Sequence, residues 1–364
     1  MKLVGVLFLI LAFSACKDNR QSVKQSGNIH NCAWTFEEKK SVGLFIDSVE
    51  YVTLETHDEG LFKAIDKFLV KNGRYYIFDC FAQNQVLVFN LEGRFLFRVG
   101  RKGRAPGEYW RIRNFTVDDQ YIYLITNEMN TIMIYDMEGK FVKQKEIPFI
   151  AFDMAAFRNG DFIFSWHQNE GASINTGLNK VTITDHEFSV KQQLFPLDKN
   201  DCIDLSQRSY FVDTDSLVIY HSLFSDTVYV FDKKQPELID RYVFDFGKNR
   251  IPVSKRKTYE EDWNYRYLTN TPILINRYLV GRYCNFEKDH VYLYDIKERK
   301  TYSNTEGAKY TLFPPLGEEN GSIISVMTEG VYEYQVKRGM QRAPEAIEES
   351  LENGDYVLVK YKLK

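Results

Sequence analysis

A self-match at a spacing of 46 residues restricts what this chain can fold into more than any other feature. Tyr75-Tyr76-Ile77-Phe78 falls on Tyr121-Ile122-Tyr123-Leu124, and Val86-Leu87-Val88-Phe89-Asn90 falls on Ile132-Met133-Ile134-Tyr135-Asp136. Glu92-Gly93-Arg94-Phe95 then falls on Glu138-Gly139-Lys140-Phe141. Each unit reads as four short apolar strands separated by polar turns, and a period of about 40–50 residues with four strands marks propeller blades. The third strand recurs at Val181-Thr182-Ile183-Thr184-Asp185, Val228-Tyr229-Val230-Phe231-Asp232 and Val291-Tyr292-Leu293-Tyr294-Asp295. Steps between the terminal Asn90 or Asp residues are 46, 49, 47 and 63, the long step holding an insertion around Ile251 to Asn264. A sixth unit fits from Tyr310 onward, with Val331-Tyr332-Glu333-Tyr334 in the third-strand place. The pattern predicts an all-β, six-bladed β-propeller with four-stranded blades over residues 45–364.

A ring of blades must close, because an open strand edge invites aggregation. Ser48 to Leu54 and Tyr356 to Tyr361 both alternate as strands and are placed to share the last blade. Between them Pro344 to Glu352 predicts a short helix, with Pro in its first turn, Ile347 and Leu351 on one face, and Gly354 after its end.

Residues 1–15 read as a signal peptide rather than as part of the fold. Lys2 is followed by the apolar run Leu3 to Phe13, eleven residues. A helix needs about 20 to span a bilayer, so this run has the length of a signal core. Ser14 and Ala15 are small, Cys16 follows, and polarity begins at Lys17. The arrangement resembles the lipobox of bacterial lipoproteins, with Phe13 where that family more often has Leu. The resemblance implies acylation of Cys16, anchoring in the outer membrane facing the periplasm or the surface. Residues 16–44 are expected to form a polar tether.

Cys32, Cys80, Cys202 and Cys284 show neither a CxxC pair nor metal spacing, and free, partly buried thiols are expected. A net charge of -3 over 97 charged residues gives nucleic acid no electrostatic footprint.

The run from Gly100 to Tyr109 (GRKGRAPGEY), together with the lipobox, Leu54-Glu55-Thr56 and the terminal Leu-Lys, is similar to Bacteroidetes six-bladed propeller lipoproteins related to NHL-type propellers. Ala105 stands where that loop commonly has Gly. The resemblance covers the whole chain and implies the propeller fold; the function of that family is largely unassigned.

Asp213-Thr214-Asp215 has the look of a calcium-loop fragment, but the same slot elsewhere holds Lys71-Asn72-Gly73, Asp118-Asp119 and Arg158-Asn159-Gly160-Asp161. Turns favour these residues through local hydrogen bonding and positive φ, whereas Ca²⁺ wants 6–8 oxygens. The Gly100 to Glu108 run lacks the Gly-Lys-Ser/Thr ending of a phosphate loop and reads as a structural crossing in which Glu108 pairs with a nearby Arg or backbone amide. The six His residues form neither HxH nor HExxH, and Glu260-Glu261-Asp262-Trp263 reads as a solvated acidic face.

Strand order sorts the connections onto two faces. Loops between second and third strands, and crossings between blades, open on one side; tight Asp/Gly turns lie on the other. The loop-rich side is thereby expected to carry Arg101, Arg104, Glu108, Tyr109, Trp110, Trp166, His167, His221, Tyr283 and Trp263 as a candidate ligand-binding rim. Tryptophan with Arg and His suits a sugar ring or a peptide. The leading expectation is a non-catalytic binding or scaffolding propeller for a carbohydrate or an envelope protein, with no cofactor beyond the lipid on Cys16. The alternative is an NHL-like or glycan-active lyase or hydrolase with a metal held by His and carboxylates in a central funnel.

Overall fold

The structure, a computed structural model, describes residues 27–364 apart from 57, 166–178, 199, 202–208, 257 and 259–263. Six sheets form the ring of blades. The first blade runs outward from the axis through Lys67–Lys71, Arg74–Asp79, Gln85–Asn90 and Phe95–Arg98. The second comprises Ile112–Val117, Ile122–Thr126, Thr131–Tyr135 and Phe141–Glu146, and the third Asp153–Ala156, Phe162–Ser165, Asn179–Thr184 and Val190–Pro196. The fourth is built from Phe211–Asp213, Leu217–Tyr220, Thr227–Asp232 and Leu238–Asp245. In the fifth, the inner strand is broken into Arg266–Leu268 and Ile273–Ile275, both paired with Tyr278–Asn285, and Lys288–Asp295 and Lys300–Ser303 follow. The sixth contains Pro315–Glu319, Ser322–Met327, Val357–Leu363 and, from the other end of the chain, Ile46–Thr53. The last two pair antiparallel with Val359 opposite Tyr51, which closes the ring as the sequence predicts.

The Asn or Asp that marks the period has a local cause. Asn90 Oδ1 accepts the Arg94 N–H, Asp136 Oδ1 that of Lys140, and Asp185 Oδ1 that of Ser189, at 2.8, 2.8 and 2.9 Å. The side chain thus caps the turn from third to fourth strand, where it stands in for a backbone carbonyl. Middle strands are apolar at their centres because blades pack face to face: Tyr76, Val86 and Val88 of the first blade share a core with Phe115, Leu124 and Met133 of the second.

Two expectations are corrected. Residues 28–41, expected in the tether, form the strands Asn28–Ala33 and Phe36–Ser41, laid parallel against the outer strands of the fourth and fifth blades. These edge strands exchange backbone hydrogen bonds with the blade, so they need little apolar alternation. Asn28–Ala33 buries Cys32 and leaves most of its other side chains exposed. Trp34 at the bend fixes the strap, its ring lying 4.9–5.5 Å from those of Phe244, Phe246, Tyr283 and Tyr292. Val331-Tyr332-Glu333-Tyr334, expected as a strand, lies in helix α1 (Glu329–Lys337), and the expected second helix is α2 (Glu345–Glu352). The pair inserts between the second and third strands of the sixth blade, and α1 buries Tyr332, whose hydroxyl donates to Glu348 and accepts the Ala343 N–H.

At the axis Lys67 and Asp153 form a buried ion pair, Nζ to Oδ1 2.5 Å. Lys67 also donates to the carbonyls of Phe115 (2.7 Å) and Met154 (3.3 Å). Asp153 accepts the N–H groups of Met154, Tyr210 and Phe211 and the Ser209 hydroxyl. One ammonium and one carboxylate therefore join the inner strands of four blades. Lys67→Met leaves the carboxylate buried without its cation, and the expected loss is about 3–5 kcal/mol of unfolding free energy. Urea denaturation checks this against Lys145→Met, whose pair with Glu187 is exposed and whose loss leaves the midpoint nearly unchanged.

Candidate functional site

The candidate rim divides when placed on the structure. The loop from Gly100 to Tyr109 wedges into the outer seam between the first and second blades. Gly100 N–H donates to Gly139 O at 3.1 Å, and the Tyr135 hydroxyl donates to Gly107 O at 3.1 Å. A Cβ on Gly107, which has φ +81°, would fall 2.7 Å from the Phe141 side chain, so this position needs glycine for both conformation and space. Glu108 clasps the loop from within: it accepts Arg101 Nε at 2.6 Å and the Ala105 N–H at 3.0 Å. The Ala105 amide, with Arg101, holds its carboxyl below the usual range. Glu108 thus has the structural role foreseen for it.

Tyr109, His221 and Tyr283 are corrected from rim to interior. Tyr109 fills the seam between the first two blades and donates to Val99 O at 3.3 Å. Tyr283 packs against Trp34 and Tyr292. His221 is fully buried, with Nε2 3.0 Å from Ser225 O. What remains at the surface is Arg101, still exposed while paired with Glu108, and Trp110, 69% exposed, with the Arg104 guanidinium 5.4 Å from its ring centroid. Trp110 sits where the seam loop returns to the loop-rich side, next to Arg111, whose carbonyl accepts the Asn127 N–H. Trp166, His167 and Trp263, like Cys16 and Cys202, lie outside the described residues. Cys32, Cys80 and Cys284 are buried, and burial pushes the Cys32 thiol up to about 11, which leaves it unreactive at neutral pH.

Sequence reasoning allowed for a central funnel but named none of the residues that line it. A cavity of about 350 Å³ is lined by the inner strands of the first, fourth, fifth and sixth blades. It exists because Lys67 and Asp153 draw the first four blades together while the fifth blade gives way: Pro272 supplies no N–H, and residues 270–272 leave the ladder between the two halves of the broken strand. Gly281 permits the close approach, since a Cβ there would stand 3.1 Å from Asn270 Oδ1 and from Pro272. The first and sixth blades bring Ile65, Phe68, Val70, Pro314, Pro315 and Leu316 to it, and the fourth and fifth bring Phe211 and Val212 beside the polar Ser209, Thr269, Asn270, Thr271 and Arg282. Acids at the cavity are engaged. Asp213 pairs with buried Lys233, Asp66 accepts the Cys80 N–H at 2.7 Å, and Glu318 accepts the Gly321 N–H at 2.6 Å. Asp213-Thr214-Asp215 is a turn: Thr214 and Leu217 exchange hydrogen bonds across it. Among the described residues no group of three His, Cys, Asp or Glu side chains is placed to hold a metal.

The profile of a domain of unknown function, DUF4934, matches residues 29–352. No curated protein matches the sequence. Among solved structures, a protein of Bacteroides fragilis described as exported superposes with a TM-score of 0.73 at 17% identity, covering 93% of this chain and all of its own. A member of the DUF4221 family from Bacteroides vulgatus aligns with a TM-score of 0.49 at 10% identity, covering 88% of this chain and 97% of its own. The first likeness extends the fold over nearly the whole chain. No helix among the described residues is long and apolar enough to cross a membrane.

Burial pushes the His221 imidazole down to about 4, so the folded chain refuses a proton that the unfolded chain accepts below about 6.5. Stability is therefore expected to be unaffected by His221 above pH 6.5 and to fall by about 3 kcal/mol as the pH drops to 4. Chemical denaturation of His221→Asn across that window should show a correspondingly flatter pH dependence.

Proposed function

The chain belongs to the DUF4934 family, a domain of unknown function, and on that premise we propose that it is an envelope-anchored binding propeller. Its partner, a glycan or an envelope protein, docks on the loop-rich side. The observation that carries this reading is the distribution of exposed large apolar side chains. Leu61, Phe81, Trp110, Val253, Phe286, Val331 and Tyr334 all belong to connections that open on that side. The other exposed ones, Ile29, Leu44, Leu96, Phe141, Val142 and Val190, belong to the N-terminal strap and the outer strands. The tight turns of the opposite face expose none among the described residues. Scattered apolar residues need no explanation, but a set gathered on the loops of one face marks an interaction surface. Trp110 with Arg104 stacked on it offers the aromatic and cationic anchor that interfaces favour.

Lipid on Cys16 fits this arrangement. Asn28 is paired with Asp240, near the turn that opens the outer strand of the fourth blade, and the strap then runs parallel to that strand. The leash thus joins the body on the turn side. Ten residues lie between Cys16 and Gly27, and the fully extended span from one to the other reaches at most about 40 Å. An acyl anchor at Cys16 would hold the turn side toward the membrane and present the loop-rich side away from it. The engaged carboxylates at the axis favour binding over acid–base chemistry, which needs a carboxyl or imidazole free to exchange a proton.

Cys16→Ser is expected to move the protein from the membrane pellet to the soluble fraction. With the membrane-bound chain, Trp110→Ala is expected to weaken capture of a glycan-array or envelope-extract partner at least tenfold. A partner retained equally by Trp110→Ala and Tyr334→Ala would refute docking on this side.

A further inference from the structure

The cavity at the axis shares no lining residue with the exposed apolar set of the loop-rich side, and we propose that it is a binding site for one uncharged sugar ring, a pyranose. Three features point to that class. The first is size: about 350 Å³ lies at the low end of small-molecule sites, which run from about 300 to 1,000 Å³, and suits a single ring.

The second is charge. Basic groups around the cavity meet acids one to one: Lys67 with Asp153, Lys233 with Asp213, and Arg282 with Asp289. An anionic ligand would enter without a counter-charge and lose its hydration, whereas a neutral one avoids that penalty. Asp66 and Glu318 at the wall further disfavour an anion.

The third is the two-sided lining. Phe68, Pro315 and Leu316 form an apolar wall against which the C–H face of a pyranose can lie. From the fifth blade Asn270 and Arg282 bring amide and guanidinium groups to the cavity. Arg282 Nε is buried and has no hydrogen-bond partner among the described residues, although the same guanidinium pairs with Asp289. A buried N–H without an acceptor is costly, and a ligand hydroxyl oxygen in the cavity supplies one. The backbone here is built to keep the space open. Asn270 Oδ1 holds the Arg282 N–H at 2.7 Å, and the Thr271 hydroxyl donates to Tyr210 O at 3.0 Å, which pins the displaced segment on both sides.

The test is isothermal titration calorimetry of the full chain with glucose, galactose, mannose, N-acetylglucosamine and rhamnose, with acetate and phosphate as charged controls. At least one pyranose is expected to bind with 1:1 stoichiometry. Its affinity should fall at least tenfold in Arg282→Met, which removes the orphan donor, and in Leu316→Trp, which fills the space from the apolar wall. Trp110→Ala should bind as the wild type does, so a failure of the loop-side reading leaves this one standing, and the reverse. The proposal is overturned if none of the five sugars binds, if only the charged controls bind, or if a bound sugar is retained undiminished by Leu316→Trp.

Discussion

Lys67 and Asp153 meet near the axis from the first and third blades, and the shape of the interior follows from how completely each is satisfied. The ammonium has three N–H groups, and three oxygens receive them: the Asp153 carboxylate and the carbonyls of Phe115 and Met154. The carboxylate accepts three backbone N–H groups and a hydroxyl besides. Burying two charges is costly unless every lone pair and proton is used, and here nearly all are. Because the partners come from the first four blades, the pair draws those inner strands to one side. The remaining space falls between the first, fourth, fifth and sixth blades, where the broken strand of the fifth leaves room.

The rim is secured by different means. The sixth blade takes its outer strand from the beginning of the chain, so the ring cannot open without losing the ladder between Ile46–Thr53 and Val357–Leu363. The strap covers the outer edges of the fourth and fifth blades, and Trp34 is driven between them as a peg. The outer strands of the first three blades carry no such cover among the described residues, and four of the six exposed apolar residues away from the loop-rich side, Leu96, Phe141, Val142 and Val190, lie there. The strap also sets geography, because its first strand residue, Asn28, enters beside Asp240 at the turn end of the outer strand of the fourth blade.

The sequence carried the ring in some detail. The Asn90, Asp136, Asp185, Asp232 and Asp295 series marks the period because each caps the same turn, a local requirement that a sequence displays directly. Turn chemistry likewise identified Asn72-Gly73 and Asn159-Gly160, where Asn72 and both glycines have positive φ. Local signals failed where the partner is remote. Asn28–Ala33 takes its stability from backbone pairing with a strand some 210 residues away, so its own composition looks like a tether. Val331-Tyr332-Glu333-Tyr334 has strand propensity, yet Tyr332 is claimed by Glu348 and Ala343 in the neighbouring helix and loop. His221 and Tyr283 sit in connections or strand ends that reach the loop-rich side, but connectivity does not tell which way a side chain points. The axial pair joins residues 86 apart, and no pattern in one sequence relates them.

Native-state hydrogen exchange at Met154, Tyr210 and Phe211 tests the axial lock most directly, since all three amides donate to Asp153. They are expected to exchange only through global unfolding, with the full unfolding free energy, while amides in the outer strand Phe141–Glu146 exchange through local opening. Asp153→Asn should bring the three inner amides down to the level of that outer strand. Inner amides that already exchange as readily as the outer ones in the wild type, or that keep their protection in Asp153→Asn, would contradict a ring held from its axis.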